Sequence, residues 1–277
     1  MKYCEVLHQN LHLQGFTGDS EHLYWSFTDS LVKTNLKGTV KVQVQNHSGH
    51  LGDIDYYDGK IYAALNGTPM GSCTAFEIKV YDANDLSLID VISLNECFEL
   101  CEKNIDGFRG INGVAIKPKT ENEDAKMMVA GSILDGKEYE NQILLEYTLD
   151  GKFIKKHLLN TGNCIMGMQT IDIDPDTGNY WFSTYGGRNF PEFQNQNYLF
   201  EASPDFTKVL NEYKFCTPYG FHCLGNGKFL ASYIAGKNGY REGYAYEVDK
   251  EFIENTVITG KDFASIIKPW FDDTFGL

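Results

Sequence analysis

A pattern of four runs returns five times along this chain, and few folds can use such a pattern. Each unit has an apolar run, a turn containing Gly, Asn or Asp, a second apolar run, a loop, and a third and fourth run. The units open at Gln14-Gly15-Phe16, Gly52-Asp53-Ile54, Asn112-Gly113-Val114, Gln169-Thr170-Ile171 and Tyr219-Gly220-Phe221. Four steps from Gln14 to Tyr219 give about 51 residues per unit, near the spacing of propeller blades. The turn residues supply the positive backbone angles that tight hairpins require. The sequence therefore predicts an all-β fold, a five-bladed β-propeller of four-stranded antiparallel blades in a single domain. The blades fall at about 11–46, 50–95, 110–160, 167–216 and 218–259. A β-sandwich or jelly roll would not return in matched sets of four. A sixth blade would have to be assembled from Met1–Gln9 and Lys261–Leu277, which carry no such pattern. In the last unit the four runs are Tyr219–Leu224, Lys228–Ile234, Gly243–Val248 and Glu251–Val257. Between the second and third units, residues 95–104 read as a short helix, because Leu94, Cys97, Phe98, Cys101 and Ile105 share one helical face.

A formal charge of −14 argues against a nucleic-acid partner, whose phosphates must be met by Lys and Arg. It disfavours anionic membrane surfaces for the same reason. No stretch reaches the ~20 apolar residues of a spanning helix. Met1–Asn10 has no basic end followed by an apolar run, which predicts a cytoplasmic protein, or a secreted one whose leader has been removed. The seven cysteines, irregularly spaced, read as free thiols in a reducing compartment. Asn46-His47-Ser48 and Asn66-Gly67-Thr68 have the form of glycosylation triplets.

Propeller geometry sorts the connections by face. Those within each hairpin are short: Lys37-Gly38, Asp58-Gly59, Asp150-Gly151 and Asn226-Gly227. Those on the other face are mostly long, at 66–75, 133–142, 186–197 and 235–242. Long loops on one face of a rigid scaffold are where binding residues usually sit. The innermost strands begin on that same face, so their polar first residues are expected to gather around a central funnel. Gln14, His50, Asp53, Asn112, Gln169 and His222 make up that expected constellation, with Tyr185, Arg188, Tyr240 and Arg241 contributed by the long loops. Each has a structural alternative. A His50–Asp53 pair can brace a loop, His222 can be an ordinary core histidine, and the amides can pair with main-chain groups left open at the axis.

The run Gly167–Trp181, with Met168-Gln169-Thr170-Ile171-Asp172-Ile173-Asp174-Pro175 at its centre, resembles the first two strands of a blade in NHL-repeat and gluconolactonase (regucalcin)-like propellers, and His50–Tyr62 has a similar cast. Five blades are also similar to plant-type glutaminyl cyclotransferases and five-bladed glycoside hydrolases. The gluconolactonase resemblance implies a divalent metal on the axis, held by a glutamate, an asparagine and an aspartate. Asn112 and Asp53 match two of these, and the glutamate has no counterpart.

The expected function is an enzyme acting by hydrolysis or elimination on a small polar ligand, a carbohydrate or sugar acid. His50 or His222 would serve as general acid or base. Asp53 would orient a histidine or, with Asn112, hold a divalent ion of the calcium or zinc class. Asn112 and Gln169 would hold substrate, Arg188 or Arg241 a substrate carboxylate, and Tyr185 and Tyr240 would stack on a sugar ring. The alternative is a non-catalytic propeller that binds a glycan or a protein, since the fold hosts both.

Overall fold

The computed structural model describes residues 2–8, 13–45, 49–67, 73–134, 139–164, 166–186, 198–232 and 241–258, with the side chains of 2–8, 241, 242 and 244 left aside. It is a five-bladed β-propeller of five four-stranded sheets. Blade one comprises β2 (Leu13–Gly18), β3 (His22–Phe27), β4 (Ser30–Asn35) and β5 (Val40–Gln45). Blade two follows with β6 (His50–Tyr57), β7 (Lys60–Asn66), β8 (Phe76–Asp82) and β9 (Leu88–Ser93). Blade three has β10 (Phe108–Lys117), β11 (Lys126–Ile133), β12 (Asn141–Thr148) and β13 (Phe153–Asn160). Blade four has β14 (Met168–Ile173), β15 (Tyr180–Thr184), β16 (Leu199–Ala202) and β17 (Val209–Tyr213). Sheet faces meet across five apolar clusters, where Trp25, Phe76, Tyr147, Phe182 and Trp181 are among the buried anchors. Aromatic and β-branched side chains suit this arrangement because the inner strands are covered on both faces, while the outermost strands, such as β5 and β9, are largely exposed.

Blade five departs from expectation. Its inner strands are β18 (Phe221–Gly225), β19 (Lys228–Ala231) and β20 (Arg241–Asp249), but its fourth is β1 (Lys2–His8), antiparallel to β20. The N-terminal strand thus completes the last blade and closes the ring. Residues read as a strand at 251–257 form instead the helix α2 (Lys250–Asn255). Asp249 is its N-cap, accepting a hydrogen bond from the Phe252 amide at 2.7 Å, and Ile253 is buried beneath it. The helix expected between blades two and three is α1 (Asn95–Glu102), with Cys97 buried.

Two other expectations need correcting. Cys73 and Cys101 are joined in a disulfide that ties the connection after β7 to the end of α1, so the cysteines are not all free thiols. Asn66 is not open to glycosylation: it is buried, and its amide clamps both main-chain groups of Ile111 in the next blade. Asn46 lies outside the described residues.

Candidate functional site

The inner strands surround the axis, and their register decides which side chains meet there. Each of the first four carries a β-bulge near its start. Pairing skips Gln14 in β2, Gly52 and Asp53 in β6, Asn112 in β10 and Gln169 in β14. A bulge re-aims side chains and breaks the ladder locally. The main-chain groups it leaves open are met by side chains of the preceding blade. Ser26 Oγ donates to the Gly52 carbonyl at 2.6 Å. Asn112 Nδ2 donates to the Met166 and Met168 carbonyls at 3.0 and 2.6 Å. Gln169 Nε2 makes longer contacts with the carbonyls of Met166, Gly167 and Met168, and Gln14 Nε2 donates to Thr28 Oγ1 at 2.8 Å. The amides at this end therefore turn their donors to the protein itself.

One position further along the strands stands Asp53. Its Oδ2 accepts the Ile171 amide of blade four at 3.0 Å, so the carboxyl lies across the axis from β6 to β14. Its Oδ1 is buried with no hydrogen-bond partner among the described residues, and a Cβ built on Gly15 would fall 1.7 Å from it. Burial pushes this carboxyl well above the usual carboxylate range, despite the amides of Ile171 and Ile54.

Two residues nearer the hairpin turns, the five blades place Thr17, Asp55, Ala115, Asp172 and His222 at equivalent positions. Here the blades are joined in series. Thr17 Oγ1 donates to Asp55 Oδ1 at 3.1 Å, and Asp55 Oδ2 accepts the Ile116 amide at 2.6 Å. Asp172 Oδ2 accepts the Cys223 amide at 2.7 Å and pairs with His222 Nδ1 at 2.7 Å. Nε2 of His222 has no protein partner among the described residues, and the side chain is 14% exposed. It stands beside Gly18. Burial works against a charged imidazole here, but the charge and hydrogen bond of Asp172, with the charge of Asp55, carry His222 above its ordinary value. Asp55 is pushed up to about 7 by burial and then by the charge of Asp172, against the pull of the Ile116 and Tyr56 amides and of His222.

The six expected residues are therefore divided. His222 belongs with Asp55 and Asp172, which sequence reasoning passed over, while Gln14, His50, Asn112 and Gln169 stand at the other end of the strands. The signal for the missed pair was the repeat itself: Ile54-Asp55-Tyr56 and Ile171-Asp172-Ile173 fall at the same place before their turns. His50 opens β6, and burial pushes its imidazole down to about 4. Five residues of strand separate the position of His50 from that of Asp55, about 16 Å, too far for His50 and His222 to serve one small substrate together. Tyr185 offers no sugar platform, because it is 4% exposed and packs edge-on against Tyr219. Arg188, Tyr240 and the side chain of Arg241 lie outside the described residues. Asp53 has no oxygen open to a metal, since one takes the Ile171 amide and the other is packed on Gly15, and the Asn112 amide nitrogen is taken by the Met166 and Met168 carbonyls. Among the described residues no three His, Cys, Asp or Glu side chains come together as metal ligands.

No protein-family model matches the chain, and no curated protein does. Among solved structures it is similar to a protein of unknown function from Bacteroides caccae, 10% identical over 92% of this chain and 84% of that one, with a TM-score of 0.50. It is also similar to the glutaminyl cyclase of Myxococcus xanthus, 14% identical over 73% of this chain and 75% of that one, with a TM-score of 0.42. These likenesses concern the fold alone. No helix among the described residues is long and apolar enough to cross a membrane. A cavity of about 530 Å³ lies against α2, lined by Phe215, Tyr246, Phe252 and Ile258 among others, and none of the axial residues lines it.

Proposed function

We propose that the protein is an enzyme that transfers a proton to or from a small, neutral, hydroxyl-rich ligand of the carbohydrate class, in a hydrolysis or an elimination. The observation that carries this reading is the Asp172–His222 pair, with Nδ1 held by the carboxylate and the imidazole partly exposed. Asp172 fixes the tautomer and supports the imidazolium, so Nε2 is the atom that gives or takes the proton. Asp55, titrating near neutrality beside the pair, is the second group able to exchange one. A formal charge of −14 favours a neutral ligand over a sugar acid.

A specific observation supports a second reading, a non-catalytic scaffold. Asp55 and Asp172 make the same bond to the next blade, to the Ile116 and Cys223 amides, which a ring needs whether or not it binds anything. Turnover separates the two readings. Against a panel of chromogenic glycosides and neutral oligosaccharides, His222→Gln should lose about 10²–10⁴ in rate, the share a general acid or base supplies. Its melting temperature should stay close to that of the parent. Full turnover in the variant removes His222 from the chemistry. A parent with no turnover and no ligand-induced thermal shift on the whole panel leaves the scaffold reading standing.

A further inference from the structure

Long loops mark one face of the disc as the expected entrance, yet the axis is closed between that end of the strands and His222. We propose that solvent and ligand reach His222 from the opposite face, that of the hairpin turns, and that Gly18 sets the width of the way in. For turnover this rests on His222 as the reacting group; for the route itself it does not.

The axis is shut one level above His222. Gly15, Asp53, Gly113, Thr170 and Gly220 occupy equivalent positions there, and all are buried. Asp53, 1% exposed, fills the middle, with glycines on two sides. A Cβ on Gly15 or Gly113 would come within 1.7 or 2.8 Å of the Asp53 side chain, so no channel passes between them. Below this plug the strands open. The His222 side chain is 14% exposed, and Leu224, two residues nearer the turn, is 40% exposed. The solvent that touches the imidazole therefore arrives from the turn end.

Gly18 sits at the edge of that opening. At its register position the other four blades carry Tyr56, Ile116, Ile173 and Cys223. The φ of Gly18 lies outside the left-handed region, so the backbone does not require glycine. What the missing side chain provides is space. A Cβ there would stand 3.8 Å from His222 Nε2 and 2.8 Å from a methyl group of Leu23, and anything longer would grow into the gap beside the imidazole.

Diethyl pyrocarbonate tests the route with no knowledge of the ligand, because it acylates a neutral imidazole nitrogen that solvent can reach. The folded protein is treated at mildly alkaline pH and labelling is read residue by residue by mass spectrometry, with His22 as the internal reference. His222 should be labelled in the parent. In Gly18→Leu and in Leu224→Trp its labelling must wait on local opening and should slow by at least about ten-fold. In Gln169→Trp, at the far end of the axis, it should be unchanged. Leu224 is exposed, so that variant carries the test even where Gly18→Leu folds poorly. Slowing in Gln169→Trp without slowing in Leu224→Trp overturns the route. Turnover of the glycoside panel in the same proteins keeps the two ideas apart. Blocked labelling with no turnover in any protein leaves the route and removes the catalytic reading. Unblocked labelling in both turn-end variants, with turnover lost in His222→Gln, does the reverse.

Discussion

Asp53 and Gly15 form a pair in which neither residue can change alone. The carboxyl oxygen that has no donor rests against the Cα of the glycine, and no side chain fits between them. Gly15→Ala should therefore destabilise the fold by about 1–3 kcal/mol, the usual cost of overpacking a dense interior. Asp53→Ala should cost a similar amount, because it leaves a void and strips the Ile171 amide of its acceptor. In the double variant the new methyl group occupies part of the space the carboxyl vacates, so the combined loss should fall short of the sum. Urea unfolding of the four proteins measures the coupling, and strict additivity would refute the contact. The sequence shows an aspartate near the start of an inner strand but does not show where it points. Pairing slips between Leu51 and Ile54, and that slip turns Asp53 into the axis rather than toward a ligand. A bulge leaves no mark on hydrophobic periodicity, which is why Asp53 reads as a site residue and is found as a plug.

Elements at the ends of the repeat were the least legible. Glu251–Val257 carries the β-forming residues Phe252, Ile253 and Val257, but one cap from Asp249 winds the chain into α2, and blade five takes its last strand from the N-terminus. Local propensity yields to such capping and pairing. Deleting residues 1–9 should leave β20 as an open sheet edge and produce concentration-dependent association. Size-exclusion chromatography over a concentration series detects this, and a monodisperse, equally stable truncation would show that β1 is dispensable. The Cys73–Cys101 bond was also beyond reach, because a separation of 28 residues carries no spacing signal. Closing that loop should stabilise the fold by roughly 3–4 kcal/mol on a chain-entropy estimate. Dithiothreitol should lower the melting temperature of the parent and leave that of a Cys73→Ala/Cys101→Ala double variant unchanged. Equal sensitivity of the two proteins to the reductant would place its effect elsewhere.

At the scale of the whole ring, the period made the architecture readable, and the same period hid the chemistry. Aligning the units on their first polar residue gathers Gln14, Asn112 and Gln169, whose amide nitrogens serve the protein's own bulges and turns. Aligning them three residues later gathers Thr17, Asp55, Ala115, Asp172 and His222, where blades one, two, four and five meet side chain to side chain and Asp55 reaches the Ile116 amide of blade three. These contacts give stability an unusual dependence on pH. Asp55 titrates near neutrality in the fold and near 4 when unfolded, so its contribution is complete below about pH 4 and is lost as pH rises through 7. His222, raised by Asp172, likewise contributes below its unfolded value of about 6.5 and loses that contribution as pH rises through its folded one. His50 acts in the opposite sense. Its pKa is depressed to about 4, so its contribution is present above about 6.5 and lost as pH falls through 4. The groups facing Asp55 are Thr17, Asp172, His222 and the amides of Tyr56 and Ile116, with no lysine or arginine among them to hold the carboxylate charged. Stability should therefore peak on the acid side of neutrality, near pH 6, and decline toward pH 8.5, where most proteins with salt-bridged carboxylates are level. Thermal scans across about pH 5 to 9 measure this, and Asp55→Asn should remove the part of the fall that runs up to about pH 7, leaving the part beyond it to His222, because an amide has no proton to lose. A parent more stable at pH 8.5 than at pH 6 would mean that Asp55 is ionised in the fold and that the axis carries its charge without help.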